Sequence, residues 1–467
     1  MTRRRDGQRG LGEVVLFGLL GEPASLLEPA LRRIDALLDD EALLDGVWRA
    51  LRTRRPQSAR RGRPGTPAEV VLRLLVLKHL KGWSYEQLEW EVRGSVAYRH
   101  FCRLAAGTVP DAKTLVRLGQ VVDGAVLRGV LDRVVGVAVE RKVTRGWRLR
   151  VDTTVVEAPI RYPTDSGLCE DGIRVLRRGL RRLVGAGVRL RDNIQDVRRS
   201  VGRRTREIGL ALRRRGDAGR AALKRPYQRL LRITRRVMRD AERGVAAARR
   251  QLTQLTPPAQ RRVHRALKEL RTMLPRLRQV VAQTRARILA GVTTTAGKLV
   301  SVFEPSAQIL RRGKPHRPTE FGALVEVQET EGGIVTEVAI VPGKNDAPLL
   351  VPAVARHCVV FGRPPRLMAV DRGFYSADGE RRVQRAGVHH PVIPKPGFRS
   401  RERITYERQR WFRRGRAWRA GGEARIARLK HRFGMARSRY RGERGMARTI
   451  YWAAIANNLT AIAVRTH

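Results

Sequence analysis

A strongly basic helical segment divides the strand signals of this chain into two groups. Residues 175–292 hold roughly 34 Lys+Arg against 7 Asp+Glu, and Leu, Val and Ile recur along them at helical spacing. One strand signal precedes the segment, where β-branched residues and a period-two pattern mark Arg148–Glu157. The others follow it, at Leu299–Phe303, Ala323–Gln328, Ile334–Val341, Arg366–Val370 and Val388–Pro394. We therefore predict an α/β fold whose mixed sheet is interrupted once by a large basic helical insertion.

A hairpin turn and several helices are predicted among and after the second group of strands. Glu329–Gly333 predicts a hairpin between the strands that flank it. Helices are predicted from Pro342–Asp346 to about Arg356, from about Gly422 to Tyr440, and over Ile450–Ala463. Within the basic segment, helix interruptions are predicted at Gly185–Gly187, Gly216 and Pro257–Pro258.

The region before the first strand is helical in pattern from its start. A helix is predicted over Pro67–Lys81, opened by a capping box between Thr66 and Glu69. Further helix starts are predicted at Ser84 and at Pro110–Thr114. Short helices with tight turns and basic flanks fit either a DNA-binding helix-turn-helix or a small bundle that contacts no groove.

These patterns predict four regions along the chain. Residues 1–60 form a helical extension and 61–140 a helical DNA-binding domain, while 141–174 and 293–467 form one α/β domain around the insertion at 175–292. The basic turn that contains Arg63 fits a minor-groove DNA contact or a plain linker.

The net charge narrows the class of partner. A formal charge of +54 repels itself unless a polyanion neutralises it, and DNA or RNA is the expected source. No segment approaches eighteen uninterrupted apolar residues, which argues against a membrane-spanning protein. The three cysteines are widely spaced and match neither a zinc site nor a disulfide framework, so we expect a reducing cytoplasm.

Three carboxylates stand out in this basic background. Asp152 and Asp371 are predicted at the ends of apolar strands, and Glu423 near the start of a late helix. Carboxylates that converge beyond strand ends can hold a pair of Mg²⁺ ions for phosphoryl transfer, and hard oxygen ligands suit that metal. Taken alone, each aspartate also fits an ordinary cap of a helix or turn.

Two cations share the predicted helix with Glu423. Arg419 lies four residues before it and Lys430 seven after, so the three side chains can lie on one helix face. The cations can clamp the phosphates that flank a metal site. The alternative is an ordinary surface ion pair between Arg419 and Glu423.

Several motifs together resemble a DDE transposase of bacterial insertion sequences. They are Val151–Glu157, Tyr162–Ser166, Pro342–Asp346, Val370–Tyr375, Glu423–Gly442 and Ala456–Leu459. The N-terminal stretch from Arg63 through Trp83–Leu88 to Val109–Asp111 is similar to the helical domain that precedes the catalytic core in these enzymes. The order and spacing of the motifs cover most of residues 60–463.

This resemblance implies an RNase H-like catalytic core with Asp152, Asp371 and Glu423 as its metal-binding triad. Arg419 and Lys430 match the Arg and Lys of the family signature, whereas the signature tyrosine is replaced by Arg416. The implied cofactor is Mg²⁺, with Mn²⁺ able to substitute. The helical insertion would serve either DNA wrapping or dimerisation.

The implied function is DNA cleavage and strand transfer at the terminal inverted repeats of a mobile element. Partners would be double-stranded DNA, both element ends and target, and a second copy of the chain in the active complex, located with the nucleoid in a bacterial cytoplasm. Two other functions fit the same charge: a catalytically inactive architectural or regulatory DNA-binding protein, and a nuclease without strand transfer. RNA binding also fits the charge but leaves the three acids without a role.

Overall fold

The computed structural model describes residues 5, 23–53, 65–104, 107–191, 194–214, 216–311, 318–343 and 345–465. The chain forms two compact units, which we call the sheet unit (Met1–Pro159 with Leu310–His467) and the helical unit (Ile160–Ile309). The expected insertion at 175–292 falls inside the helical unit. Arg63 lies outside the described residues.

The described part of the chain before the first strand is helical, as the pattern predicts. Its helices are α1 (Pro29–Leu37), α2 (Glu41–Thr53), α3 (Ala68–Lys81), α4 (Tyr85–Gly94), α5 (Val96–Phe101), α6 (Ala112–Val121) and α7 (Gly124–Glu140). The predicted start at Ser84 is confirmed, because Ser84 and Gln87 form a reciprocal capping box at α4. Asp111 accepts a hydrogen bond from the Thr114 amide and thereby starts α6.

The capping box predicted between Thr66 and Glu69 is wrong. Pro67 occupies the N-cap of α3, and no side chain caps this helix. Glu69 instead pairs with Arg73, whose fully buried guanidinium also contacts Asp35 at 2.5 Å. A buried arginine needs carboxylate partners. Glu69 therefore pairs with Arg73 and does not act as the cap that the local pattern predicted.

A mixed sheet forms the centre of the sheet unit. The strands are β1 (Arg148–Glu157), β2 (Gln308–Leu310), β3 (Glu320–Thr330), β4 (Val335–Ile340), β5 (Leu367–Ala369) and β6 (His390–Val392). β1 pairs antiparallel with β3 on one side and parallel with β5 on the other. β4 continues the sheet antiparallel beyond β3, and β6 continues it parallel beyond β5. The mixed α/β class is thereby confirmed.

Helices cover both faces of this sheet. They are α12 (Leu350–Phe361), α13 (Ala377–Arg385), α14 (Arg401–Arg408), α15 (Arg410–His431) and α16 (Gly442–Arg465). One core packs Val151 of β1 against Val354 and Val383. The other packs Val327 of β3 against Trp452 and the N-terminal helices. Residues of alternating parity along each strand therefore belong to different cores.

Several of the predicted boundaries differ from the structure, and α16 begins at Gly442 instead of Ile450. α15 begins at Arg410 instead of Gly422 and ends at His431 instead of Tyr440, where Gly434 adopts a left-handed conformation with φ of 76°. Leu299–Phe303 is not a strand. The amide and carbonyl of Leu299 bond to the side chain of Gln283 at 3.0 and 2.9 Å, so a side chain satisfies the backbone groups that a strand would pair.

The helical unit has its own apolar core. It is built from α8 (Asp165–Val184), α9 (Arg198–Ala211), α10 (Gly216–Gln251) and α11 (Pro257–Leu289). The predicted interruptions are confirmed, since α8 ends before Gly185 and the next long helices begin at Gly216 and Pro257. Buried side chains such as Leu176, Leu231 and Leu270 lie between the helices. Among the described residues, no helix is both long and apolar enough to span a membrane.

A buried histidine makes the stability of the sheet unit depend on pH. His357 of α12 is 1% exposed, and its Nε2 lies 3.0 Å from the carbonyl oxygen of Gly146. Burial lowers the pKa of His357 to about 4. The unfolded state therefore takes up a proton at higher pH than the folded state does. We expect the free energy of unfolding to fall by up to about 3 kcal/mol as pH drops from about 6.5 to 4.

The substitution His357→Gln keeps a hydrogen-bond donor for Gly146 and removes the titrating group. Urea unfolding of both proteins across pH 4–7 should show a smaller loss of stability for the variant. Burial also lowers the pKa of His79, so part of the dependence of the unfolding free energy on pH persists in both proteins. Two parallel stability curves would contradict the assignment to His357.

Candidate active site

Asp152 lies in the middle of β1, so its predicted position at a strand end is wrong. The strand continues to Glu157, which pairs with Gly322 of β3. Val151 and Thr153 are buried on one face, and the Asp152 side chain points to the other face with 20% of it exposed. Asp152 therefore presents its carboxylate on the face that α15 crosses.

Asp371 follows β5 by two residues, close to its predicted position. Its Oδ1 accepts a 2.8 Å hydrogen bond from the amide of Gly373, which starts a short 3-10 turn. The parallel register pairs Arg150 of β1 with Ala369 of β5. Asp152 and Asp371 therefore each follow the last paired residue of their strands by two positions, at the same end of the β1–β5 pairing.

Glu423 lies well inside α15, not near its start, and its side chain is 74% exposed. The Arg419 guanidinium connects it to the strand: its Nη2 is 3.5 Å from Glu423 Oε1 and 3.6 Å from Asp152 Oδ2. These distances are longer than hydrogen bonds, so the guanidinium is held mainly by charge attraction between two carboxylates. The arrangement brings Glu423 and Asp152 to the same guanidinium nitrogen.

Lys430 lies on the same helix, seven residues beyond Glu423, and is half-buried. Helical spacing puts Arg419, Glu423 and Lys430 on one face of α15, because four and seven residues are close to one and two turns. The face that carries these side chains is therefore continuous with the Asp152 site.

Asp346 is a further carboxylate close to Asp371, and no sequence pattern selected it separately. Its Oδ1 accepts a 3.0 Å hydrogen bond from the Thr153 hydroxyl, next to Asp152 on β1. A Cβ placed on Gly373 would lie 3.0 Å from Asp371 Oδ1 and 3.5 Å from Asp346 Oδ2. Both oxygens therefore border the same small space. The sequence feature that could have identified Asp346 is its place at the end of the motif Pro342–Asp346.

A buried ion network fixes α15 on the sheet. Glu329 of β3 is 2% exposed and receives Arg150 of β1 at 2.7 Å and Arg425 of α15 at 2.9 Å. Arg150 also donates to the carbonyl of Trp418 at 2.7 Å. Arg150 precedes Asp152 by two residues, and Arg425 follows Glu423 by two. The network therefore sets the distance between the strand and the helix that carry the candidate acids.

Two asparagines of α16 extend this network to the edge of the sheet. Asn457 accepts a bond from Arg425 at 2.9 Å and donates to the Gly333 carbonyl at 3.0 Å. Asn458 bonds both the amide and the carbonyl of Val335 at 2.8 Å. Both side chains are completely buried, and their polar groups are satisfied by Arg425 and by backbone atoms of the hairpin.

The crevice beneath Arg419 is too small for a substrate. Its volume is about 10 Å³, and its lining includes Asp152, Val327, Gly422 and Ile426. This is about the space of one water molecule. A phosphate group would therefore approach the carboxylates from the solvent side of Arg419 and Glu423.

The donor set fits a divalent metal only in part. Asp152 on β1 and Asp371 just after β5 offer oxygen ligands of the kind that Mg²⁺ prefers. Across the described residues, no three His, Cys, Asp or Glu side chains are close enough together to hold a metal ion. Glu423 faces Arg419 in this structure, so a three-carboxylate site requires its side chain to turn towards the aspartates.

Comparison with known proteins gives one match. Residues 24–120 match a family model described as a transposase domain (DUF772). No curated protein and no solved structure matches the chain. The matched residues cover α1 to most of α6 and end before the strand that carries Asp152. The N-terminal helical region is thus similar to a transposase domain, which supports a function in transposition for this chain.

Proposed function

We propose that this chain is a metal-dependent DDE transposase that cuts the ends of its element and joins them to target DNA. The observation that carries the proposal is that Asp152 and Asp371 each follow the last paired residues of β1 and β5 by two positions, with Glu423 on the helix that crosses β1. The match to a transposase domain and the charge of +54 support DNA as the substrate. An architectural protein would need none of these three acids.

The sheet supports an RNase H-like core. Its first strand has an antiparallel neighbour on one side and a parallel neighbour on the other, and the helical unit leaves the sheet after that strand. This is the mixed arrangement that such a core requires, with the sheet unit as catalytic domain and the helical unit as insertion. The helices before β1 would then be the DNA-binding domain.

Asp152 and Asp371 would hold the metal, and Glu423 would complete the site after turning away from Arg419. Bound Mg²⁺ ions, or Mn²⁺ in their place, supply activation of the attacking oxygen and stabilisation of the leaving oxygen in an in-line phosphoryl transfer. Arg419, once released from the carboxylates, would bind a phosphate together with Lys430. Cutting and joining two ends requires two active sites, so the active complex would contain two copies of the chain.

Removal of the metal tests the proposal directly. With a duplex that carries the terminal inverted repeat of the element, EDTA should stop strand cleavage and added Mg²⁺ should restore it. DNA binding, measured on the same duplex, should persist in EDTA because the positive surface does not depend on the metal. Cleavage that continues unchanged in EDTA would contradict a carboxylate-held metal.

The second candidate is a DNA-binding protein without catalysis. One observation favours it: Arg419 lies between Asp152 and Glu423 and supplies, without any metal, the positive charge that they need. Tight DNA binding with no cleavage or joining under any divalent metal would select this function. A pre-cut end with a free 3′-hydroxyl separates a transposase, which joins it to target DNA, from a simple nuclease.

A further inference from the structure

One face of α10 in the helical unit carries a row of arginines, which we call the arginine stripe. It consists of Arg232, Arg236, Arg239, Arg243 and Arg250, and all five side chains are exposed. Successive spacings of four, three, four and seven residues keep them on one helix face. The stripe is about 27 Å long at 1.5 Å per residue, which matches about eight base pairs of duplex DNA. The opposite face of α10 is buried in the core of the unit.

The positive charge of the stripe is not cancelled by its acidic neighbours. Asp240 pairs with Arg243 of the stripe, and Glu242 pairs with Arg278 of α11. Among the described residues, the other four arginines of the stripe form no ion pair. The surface thus has unused guanidinium groups at regular intervals, and guanidinium geometry matches phosphate oxygens well.

A cavity of about 370 Å³ opens beside the stripe, between α8 and α10. Arg236 and Arg250 border it, while Leu180 and Val237 form part of its apolar wall. Gly244 also lines it: a Cβ there would lie 2.4 Å from the side chain of Leu180, so glycine is needed for the close approach of the two helices.

Arg177 of α8 lines the same cavity with a guanidinium that is only partly satisfied. Its side chain is 5% exposed, and its Nη1 donates to Asp196 at 2.8 Å. Its Nε and Nη2 are buried without a hydrogen-bond partner. Buried donors without partners are costly and rare, so these N–H groups mark the place where an anionic oxygen would bind.

We propose that the arginine stripe and this cavity form a phosphate-binding groove for duplex DNA. The stripe follows the backbone of one strand, and Arg177 binds a phosphate oxygen at the cavity. The phosphate chemistry is argued from the helical unit alone, whereas the choice of DNA as its source rests on the proposed function. Of the two roles that fit the basic insertion, this assigns DNA binding.

Neutralising the stripe tests this groove in the full-length protein. The triple variant Arg232→Gln, Arg236→Gln, Arg239→Gln should bind duplex DNA more weakly at 0.15 M salt. Removing one arginine–phosphate pair reduces the slope of log K against log salt by about 0.9, so the triple variant should reduce it by up to about 2.7. Because all three side chains are exposed, thermal unfolding should be unchanged.

A matched control removes the same charge elsewhere on the helical unit. Arg261→Gln, Arg265→Gln, Arg271→Gln affects three exposed arginines of α11 that do not line the cavity. Its salt slope should stay within about one unit of the wild type. Equal reductions in both triple variants would show general charge attraction and overturn the proposal.

The cavity is tested by placing a carboxylate in it. Ala246→Glu on its wall should weaken DNA binding, whereas Ala218→Glu, exposed near the start of α10, should not. Equal binding by the two variants would overturn the role of Arg177. A nucleoside monophosphate that binds the wild type, fails to bind Ala246→Glu and leaves DNA affinity unchanged would identify a free nucleotide as the ligand and also overturn the DNA groove.

This outcome is separable from the test of catalysis. If the protein binds DNA through the stripe but never cleaves it, the proposed groove stands and the proposed transposase activity fails. If the protein cleaves DNA with Mg²⁺ but the stripe variant binds DNA as the α11 control does, the proposed transposase activity stands and the proposed groove fails.

Discussion

Asp371→Asn is expected to reduce Mg²⁺-dependent strand cleavage by about 10²–10³-fold or more, the loss typical when one group that stabilises charge in a transition state is removed. The asparagine Oδ1 can still accept the hydrogen bond from Gly373, so the turn after β5 should keep its shape. The substitution removes one negative charge from the candidate site. The measurement is single-turnover cleavage of a labelled duplex that carries the inverted repeat.

The same variant should bind DNA as well as the wild type or better, since it loses a negative charge that repels phosphates. Asp378→Asn is the matched control, because this carboxylate is 68% exposed on α13 and forms only a loose ion pair with Arg382. Cleavage by Asp371→Asn at the wild-type rate would remove Asp371 from the active site.

Glu329→Ala should destabilise the sheet unit by about 3–5 kcal/mol, because it leaves two buried arginines without their shared carboxylate. The Arg150 and Arg425 side chains are only 11% and 16% exposed, so water cannot replace Glu329 fully. Urea unfolding measures the loss. Glu140→Gln breaks the exposed ion pair with Arg133 and should cost at most about 1 kcal/mol.

A triple apolar variant separates stability from positioning. Arg150→Met, Glu329→Leu, Arg425→Met removes the three charged side chains of the network and keeps the bonds from Asn457 and Asn458 to the hairpin backbone. Well-packed apolar replacements of buried ion pairs are often neutral. We expect its stability to approach that of the wild type while cleavage falls, because α15 is no longer fixed above β1. If cleavage recovers together with stability, the network is structural and does not position Glu423.

The sequence predicted the elements whose signals are local. β1 has the predicted bounds because its alternation reflects a sheet with partners on both sides, and Ser84 starts α4 because the capping box lies within four residues. The late helix was predicted to start twelve residues too far along. It is held by Arg150 and Glu329, which are distant in sequence and leave no periodic signal.

The sequence likewise identified some residues of the candidate site and missed others. Asp152, Asp371 and Glu423 could be selected because they are acids within recognisable motifs. Glu329 was assigned to the hairpin turn, although it lies within β3, and its function as the carboxylate between two arginines depends on residues about 180 and 100 positions away. Asn457 and Asn458 gave a visible signal, two amides within an apolar helix, but no sequence pattern identifies their partners, which are Arg425 and backbone atoms of the hairpin.

Along the chain, the helical unit lies between two strands that pair with each other, and this order affects how the chain folds. Glu157 and Gly322 are direct neighbours in the sheet, yet the whole helical unit is synthesised between them. Closing so long a loop is slow, and β1 must wait for its partner. Since the helical unit has its own core, we expect it to fold first as it leaves the ribosome. Its formation would then shorten the search by which β3 finds β1.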